Sequence, residues 1–452
     1  MDGTPYMFRQ CRAASTLCAI ADNAEALSQA LDSPEPSVVA LPNIMYVDEP
    51  TVISQSTSTS HARPEEIEAI TRPGEQKVIA ELLDRYLDIQ TRSPILGVRP
   101  GVIRRSLSQH MAMARGLFIR GCKGIGKSFL MLLTAVHLLA RMANSRVVYI
   151  GDCGSWQQCS DRIQRCRFIA EAFANAFAND DEVLDIIDRW WEKRNHEGQT
   201  FSANKLFSDI KRYCREHNLV VAVFVDRINA ASGPGDAQSD VIAYLKYLKM
   251  TCQFAIVLAA SDDNVAESIS QELAATTLPI RQPFSSTEAS LYIINRCPQM
   301  RTRAVHLKDM LNATWRHPSE LFRLCRYLTL ADGNEDYDHL VTTHLLQFSV
   351  APFTGFAPRP FGNLANLAAV GYVARSIVDV LQMRPPHWML ADTNYMVLIH
   401  ARDMCLYLFS CPSVARGMVG LHCPDEIPSD TLSVYLENMR CVKYQLPVQT
   451  TN

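Results

Sequence analysis

The stretch Leu117-Phe118-Ile119-Arg120-Gly121-Cys122-Lys123-Gly124-Ile125-Gly126-Lys127-Ser128 decides the fold. Its last eight residues fit the pattern GxxxxGK[ST] without exception. An apolar strand precedes them, and the long apolar run Phe129–Met142 follows with helical spacing. Strand, glycine-rich turn and helix in this order form a cup of backbone N–H groups at a helix N-terminus, which favours phosphate oxygens. In such a cup Lys127 reaches the β- and γ-phosphates, and Ser128 offers a hydroxyl to Mg²⁺. The residues expected to hold a nucleotide are Gly121, Cys122, Lys123, Gly124, Ile125, Gly126, Lys127, Ser128 and Phe129. Phe129 also opens a core stripe with Leu132, Leu133, Val136, Leu139 and Ala140.

Outward from this loop, short apolar runs alternate with helical patterns. Gly116–Arg120, Arg146–Ile150, Leu219–Val225 and Phe254–Ala260 read as strands. Between and after them Ile163–Phe177, Glu182–Trp191, Lys205–His217, Asp240–Lys249 and Val265–Ala274 read as helices, as do Ser286–Arg296 and Ser319–Leu330. Buried strands separated by helices imply an α/β fold with a parallel, three-layer sheet. Upstream, a helix is expected around Arg12–Leu31 and another at Gln76–Tyr86, with Pro64-Glu65-Glu66 as a helix start.

The run Leu219–Val225 ends in Asp226, the layout of a strand that delivers a carboxylate to a nucleotide-bound magnesium. Ser128 and Asp226 are therefore the expected metal ligands, and Asp226 the first expected catalytic residue. Arg227 stands where many ATPases place a water-polarising glutamate, so slow turnover or a nucleotide switch is an alternative to fast hydrolysis. Phe254–Ala260 runs into Ser261-Asp262-Asp263-Asn264, where Ser261 and Asn264 are expected to approach the γ-phosphate or the attacking water. Asp262 is a substitute base, and helix capping is the competing explanation for these polar residues. Arg316 and Arg323 follow in Trp315–Arg323 as residues that could touch phosphate or simply face solvent. The absence of an NKxD-type motif leans the nucleotide towards ATP.

The chain has 452 residues, which suggests two to four domains. Lys and Arg total 44 against 47 Asp and Glu, a net charge of −3, so composition gives no support for a nucleic-acid partner or a membrane surface. A protein partner or a second copy of the chain is left open. The 14 cysteines include no CxxC pair, consistent with reduced thiols in an intracellular protein. Charged residues interrupt each early apolar run, so no signal-peptide core is read. The expected division is a weakly ordered segment and Ser/Thr linker over 1–63 and a phosphate-loop core over 64–285. A helical lid follows over 286–351, then a mainly helical module over 352–452, with helices at Leu364–Leu381 and Asn394–Phe409.

The order Gly121–Ser128, Asp226, Ser261–Asn264 and Pro318–Leu321 resembles the AAA+/STAND branch of P-loop ATPases over roughly residues 100–330. Gly124–Ser128, Arg146–Cys153 and Phe224-Val225-Asp226-Arg227-Ile228-Asn229-Ala230 look more narrowly like the ATPase region of Crinkler proteins of oomycetes and fungi. The resemblance implies Mg-ATP binding, a non-acidic residue followed by Ile-Asn after the Walker B aspartate, and Asp152 and Asn229 near the nucleotide. It further implies an intracellular effector, at times secreted into a host cell and acting in its nucleus, with a nuclease or toxin module. Residues 1–100 carry no LxLFLAK-type delivery motif, and Glu437 and Lys443 do not have PD-(D/E)xK spacing.

Overall fold

The computed structural model describes residues 6–42, 44, 66–92, 116–159, 161–197, 203–232, 236–261, 264–280, 283–302, 307–308, 310–311, 314, 316–330, 372–374, 396–401 and 404–409. The chain divides into two compact units, residues 1–120, 127–260 and 265–279 in the first, and 121–126, 261–264 and 280–452 in the second.

The first unit begins with helices α1 (Tyr6–Asp22) and α2 (Ala24–Asp32). The single helix expected around Arg12–Leu31 is thus corrected to two. The break falls at Asn23, whose side chain donates to the Ala19 carbonyl at 2.9 Å and diverts the helix ladder. Strand β1 (Val38–Pro42) pairs antiparallel with β2 (Glu66–Ile70). Glu65-Glu66 therefore does not start a helix. Ile67 and Ala69 are buried while Glu68 between them is exposed, the period-two pattern of a half-buried strand. Helix α3 (Pro73–Arg92) starts later, with Pro73 at a position where the missing N–H costs nothing.

Strands β3 (Gly116–Gly121), β4 (Ser145–Ile150), β5 (Val220–Val225), β6 (Ala255–Ser261) and β7 (Thr276–Pro279) form a five-stranded parallel sheet in the order β4-β5-β6-β3-β7. Helices α4 (Lys127–Arg141), α5 (Cys153–Gln157), α6 (Arg162–Ala176), α7 (Asp181–Glu197), α8 (Ala203–Glu216), α9 (Asp236–Tyr247) and α10 (Asn264–Glu272) fill the connections. Strand β5 is buried at every position, which explains its unbroken apolar sequence. Its residues alternate between two layers. Val221, Val223 and Val225 join the cluster of Phe173, Phe207, Tyr244 and Trp156. On the other face the ring of Phe224 stacks on Tyr149 at 6.1 Å. The result is a three-layer α/β sandwich.

The core cluster carries a few polar ties. The Trp156 indole N–H donates to the Arg165 carbonyl at 3.1 Å, and the Arg165 guanidinium pairs with Asp240 at 2.9 Å. Trp190 is buried and Trp191 half-buried, the latter with the Arg167 guanidinium 5.6 Å above its ring. After α9 the helix widens into a π-helical turn, Leu248–Cys252, that places Lys249 in the interior. Among the described residues no helix is long and apolar enough to cross a membrane.

The second unit contains helices α11 (Ser286–Arg296) and α12 (Pro318–Leu330) and a small antiparallel sheet, β8 (Tyr372–Ala374), β9 (Met396–Ala401) and β10 (Met404–Phe409), in the order β8-β10-β9. The expected helix Asn394–Phe409 is thus corrected to two strands. Two six-residue, mostly apolar runs flank Arg402-Asp403, and Ala401 faces Met404 in the register of a tight hairpin. The Ser/Thr linker, Asp262 and Trp315 lie outside the described residues, as do 331–371 and most of the expected helix Leu364–Leu381.

Candidate nucleotide-binding site

The motif runs along the chain from the end of β3 to the start of α4. Gly124 and Gly126 hold φ of +83° and +97°, left-handed values that a side chain strains against. The Ile125 amide closes a turn onto the Cys122 carbonyl at 3.4 Å. Gly121 is needed for a different reason. A Cβ there would lie 2.5 Å from the Ile280 carbonyl oxygen. Cys122 and Ile125 are buried and Lys123 is exposed. Phe129 is half-buried in the first turn of α4.

In the first unit, α4 begins at Lys127, one residue pair earlier than its apolar pattern suggests, so Lys127 and Ser128 lie in its opening turn. The Ser128 hydroxyl is hydrogen-bonded to the Asp226 carboxyl. Asp226 is 2% exposed and its Oδ1 also accepts from the Arg227 amide at 2.8 Å. Burial pushes the Asp226 carboxyl above the usual carboxylate range. The Ser128 bond, the Arg227 amide and the charges of Lys127 and Arg227 oppose that rise. The sequence-predicted pair Ser128 and Asp226 is therefore brought together.

The backbone of Asp226 is locked into its neighbours. Its amide donates to the Ile150 carbonyl at 2.9 Å and its carbonyl accepts from the Cys153 amide at 3.1 Å. Arg227 then turns with φ of 55°, and its carbonyl accepts from Ala230 at 2.8 Å. Asp152, two residues past β4, caps α5 by accepting from the Gly154 amide and the Ser155 hydroxyl, each at 2.9 Å. Cys153 sits between the two acids, and burial first, then the charges of Asp152 and Asp226, hold its thiol well above its ordinary range. Asn229 falls in the short 3₁₀ turn Ile228–Ser232.

Ser261 closes β6 and Asn264 opens α10, so the backbone puts both at the strand-to-helix junction. In the second unit the Arg316 guanidinium meets the Ser286 hydroxyl at 3.2 Å, and its carbonyl accepts from Phe284 at 3.1 Å. Arg323 pairs with the buried Glu320 at 3.3 Å. The residues that sequence reasoning missed are His317 and Ser319. The Ser319 amide donates to the Gly124 carbonyl at 3.2 Å, and the His317 Nε2 lies 3.7 Å from the Cys122 thiol. The only signal for them was the His-Pro-Ser sequence directly before α12.

No family model and no curated protein matches the chain. Solved structures do. The Walker-type ATPase PABY2304 of Pyrococcus abyssi matches with a TM-score of 0.40 at 12% identity, over 70% of this chain and 94% of that one. ORC2 of Aeropyrum pernix, solved as ADPNP-ADP complexes, matches with a TM-score of 0.37 at 11% identity, over 78% and 98%. PCH-2 of C. elegans matches with a TM-score of 0.38 at 12% identity, over 60% and 67%. At these values the likenesses add nothing to the chemistry argued from the residues.

Proposed function

We propose that this protein is a Mg-ATP-binding P-loop ATPase that couples the nucleotide state to a conformational change. One observation carries the reading: the Ser128 hydroxyl on the buried Asp226 carboxyl, directly after Lys127 at the head of α4. A hydroxyl and a carboxylate are hard oxygen donors of the kind that hold Mg²⁺. Their hydrogen bond already brings the two oxygens together, so the donor set fits that ion. Bound there, magnesium would neutralise charge on the β- and γ-phosphates. The chain's own part is to wrap the phosphates with the amides of Gly121–Gly126, to set the Lys127 ammonium against them, and to hold Asp226 rigidly through β4 and α5. Ser261 and Asn264 are assigned to the γ-phosphate side by their place at the end of β6. Residues 64–285 are the catalytic core in this reading, 286–351 the lid and 352–452 a separate module. Lys127→Ala should abolish ATP binding by the full chain. Unchanged affinity in that variant would reject the site.

A second reading is a nucleotide switch with little or no turnover. Arg227 favours it, because it occupies the position after Asp226 with a left-handed backbone and brings a cation instead of a general base. Steady-state phosphate release separates the two. Turnover lost in Asp226→Ala supports the ATPase; ATP retained without turnover supports the switch. The Crinkler-like effector role rests on three stretches of sequence alone: Gly124–Ser128, Arg146–Cys153 and Phe224–Ala230. Nucleic acid as its target would show as salt-dependent binding.

A further inference from the structure

We propose that His317 is a positioning residue for the phosphate loop, tying Cys122 of the loop to Ser319 in the first turn of α12. The nucleotide-ready shape of the loop then depends on that helical turn being in place. The proposal rests on the nucleotide-binding reading above and adds a control element to it.

All the residues concerned belong to the second unit. His317 is 1% exposed, and both ring nitrogens have partners. Nε2 faces the Cys122 thiol at 3.7 Å and Nδ1 faces the Ser319 hydroxyl at 3.0 Å. A neutral imidazole donates from one nitrogen and accepts at the other. Thiol and hydroxyl can each do either, so both tautomers leave the chain Cys122–His317–Ser319 satisfied. The backbone adds a second tie, because the Ser319 amide donates to the Gly124 carbonyl at 3.2 Å. His317 is itself fixed on both sides. Its amide donates to the Thr314 carbonyl at 2.9 Å and its carbonyl accepts from Leu321 at 3.0 Å.

The fit leaves no slack. A Cβ on Gly124 would lie 2.5 Å from the Ser319 hydroxyl oxygen and 3.1 Å from the His317 Cε1. Two of the six loop residues, Cys122 and Gly124, are therefore held by the start of α12. These same residues carry the amides that must converge on phosphate, where a misplacement of about 1 Å is felt strongly. Truncating His317 removes one partner of the buried Cys122 thiol and one of the Ser319 hydroxyl, whereas an amide side chain can still donate and accept.

The test uses the full chain and two readouts: affinity for a fluorescent ATP analogue with Mg²⁺, and hydrogen exchange of the 121–126 peptide without nucleotide. His317→Ala should weaken affinity about tenfold, the cost of roughly one buried hydrogen bond. It should also speed exchange in the loop while leaving β5 unchanged. His317→Gln should restore most of both. Cys122→Val combined with His317→Ala should be no weaker than His317→Ala alone, since both cut the same tie. Wild-type affinity and loop exchange in His317→Ala would overturn the proposal. So would exchange raised throughout the chain, or additive losses in the double variant. If the wild-type chain takes up no nucleotide, the reading of the loop falls by itself, and loop exchange in His317→Ala still decides whether the tie exists.

Discussion

The hydroxyl of Ser128 and the carboxyl of Asp226 share a hydrogen bond inside the first unit, where Asp226 is almost fully shielded from water. Burial raises the Asp226 pKa, so this group costs the folded state stability as pH rises above the usual carboxylate range. Sites that trade stability for function become more stable when the function is removed. Asp226→Asn keeps the acceptor for the Arg227 amide and removes the charge. Its thermal midpoint should rise in the absence of nucleotide. Its ATP affinity should lose the part that depends on Mg²⁺, about tenfold or more for a charge-assisted contact. A lower midpoint would show that the Ser128 bond and the Lys127 charge outweigh the desolvation of the acid.

Lys249 gives the stability a pH dependence of known sign. Its ammonium lies in the π-helical turn after α9, donating to the carbonyls of Leu273 and Ala274, the latter at 2.8 Å. Burial lowers its pKa from 10.5 to about 8. Between those values the unfolded chain binds the proton and the folded chain does not. Stability from this group therefore rises as pH climbs from about 8 to about 10.5, and is flat below that window. Buried thiols such as Cys153 and Cys214, raised by burial, pull the other way over this range, so the check is the difference. In urea melts across the window the slope should be less positive, or more negative, in Lys249→Met than in wild type. Equal slopes in the two proteins would place the lysine's titration elsewhere.

What the sequence made legible follows from physics local to each stretch. The loop Gly121–Ser128 and the strand ending in Asp226 could be read because glycine geometry and an unbroken apolar run each have few alternatives. Four of the five core strands stand within a residue of their expected bounds for the same reason. Strand β7 was invisible. Thr276-Thr277-Leu278-Pro279 is largely exposed and joins the sheet edge by backbone pairing with β3, which leaves no apolar signature. The runs Met396–Ala401 and Met404–Phe409 show the limit of periodicity, since a short, mostly apolar run fits a strand or a helix equally. His317 stayed hidden because its partner Cys122 is 195 positions away, and only the tertiary fold joins them.

Gly124→Ala separates backbone strain from crowding at the loop. The φ of +83° costs a substituted residue about 1 kcal/mol, and the contact with Ser319 adds to it. The variant should lose about 1–3 kcal/mol of stability in urea melts and bind ATP weakly. Adding Ser319→Gly removes the close oxygen, and stability should recover only in part. Full recovery would show that the left-handed backbone itself costs nothing, and no recovery would show that crowding contributes nothing.

The start of α11 offers a prediction independent of any nucleotide. The Ser285 hydroxyl accepts from the Glu288 amide at 3.2 Å, and the Glu288 carboxylate accepts from the Ser285 amide at 2.6 Å. This reciprocal pair satisfies two of the four N–H groups a helix start leaves orphaned. Ser285→Ala removes the hydroxyl that accepts from the Glu288 amide and leaves the backbone bond from the Ser285 amide to the Glu288 carboxylate in place. Ser285→Ala should therefore cost about 1 kcal/mol, the value of a lost N-cap hydroxyl. Ser285→Asp keeps an acceptor for the helix but sets a second carboxylate beside Glu288. It should be less stable than wild type at pH 7 and approach it as pH falls and the pair takes up a proton. Melts of the three proteins at pH 5 and pH 7 check the order. A Ser285→Asp variant as stable as wild type at both pH values would mean that the helix dipole outweighs the repulsion between the two acids.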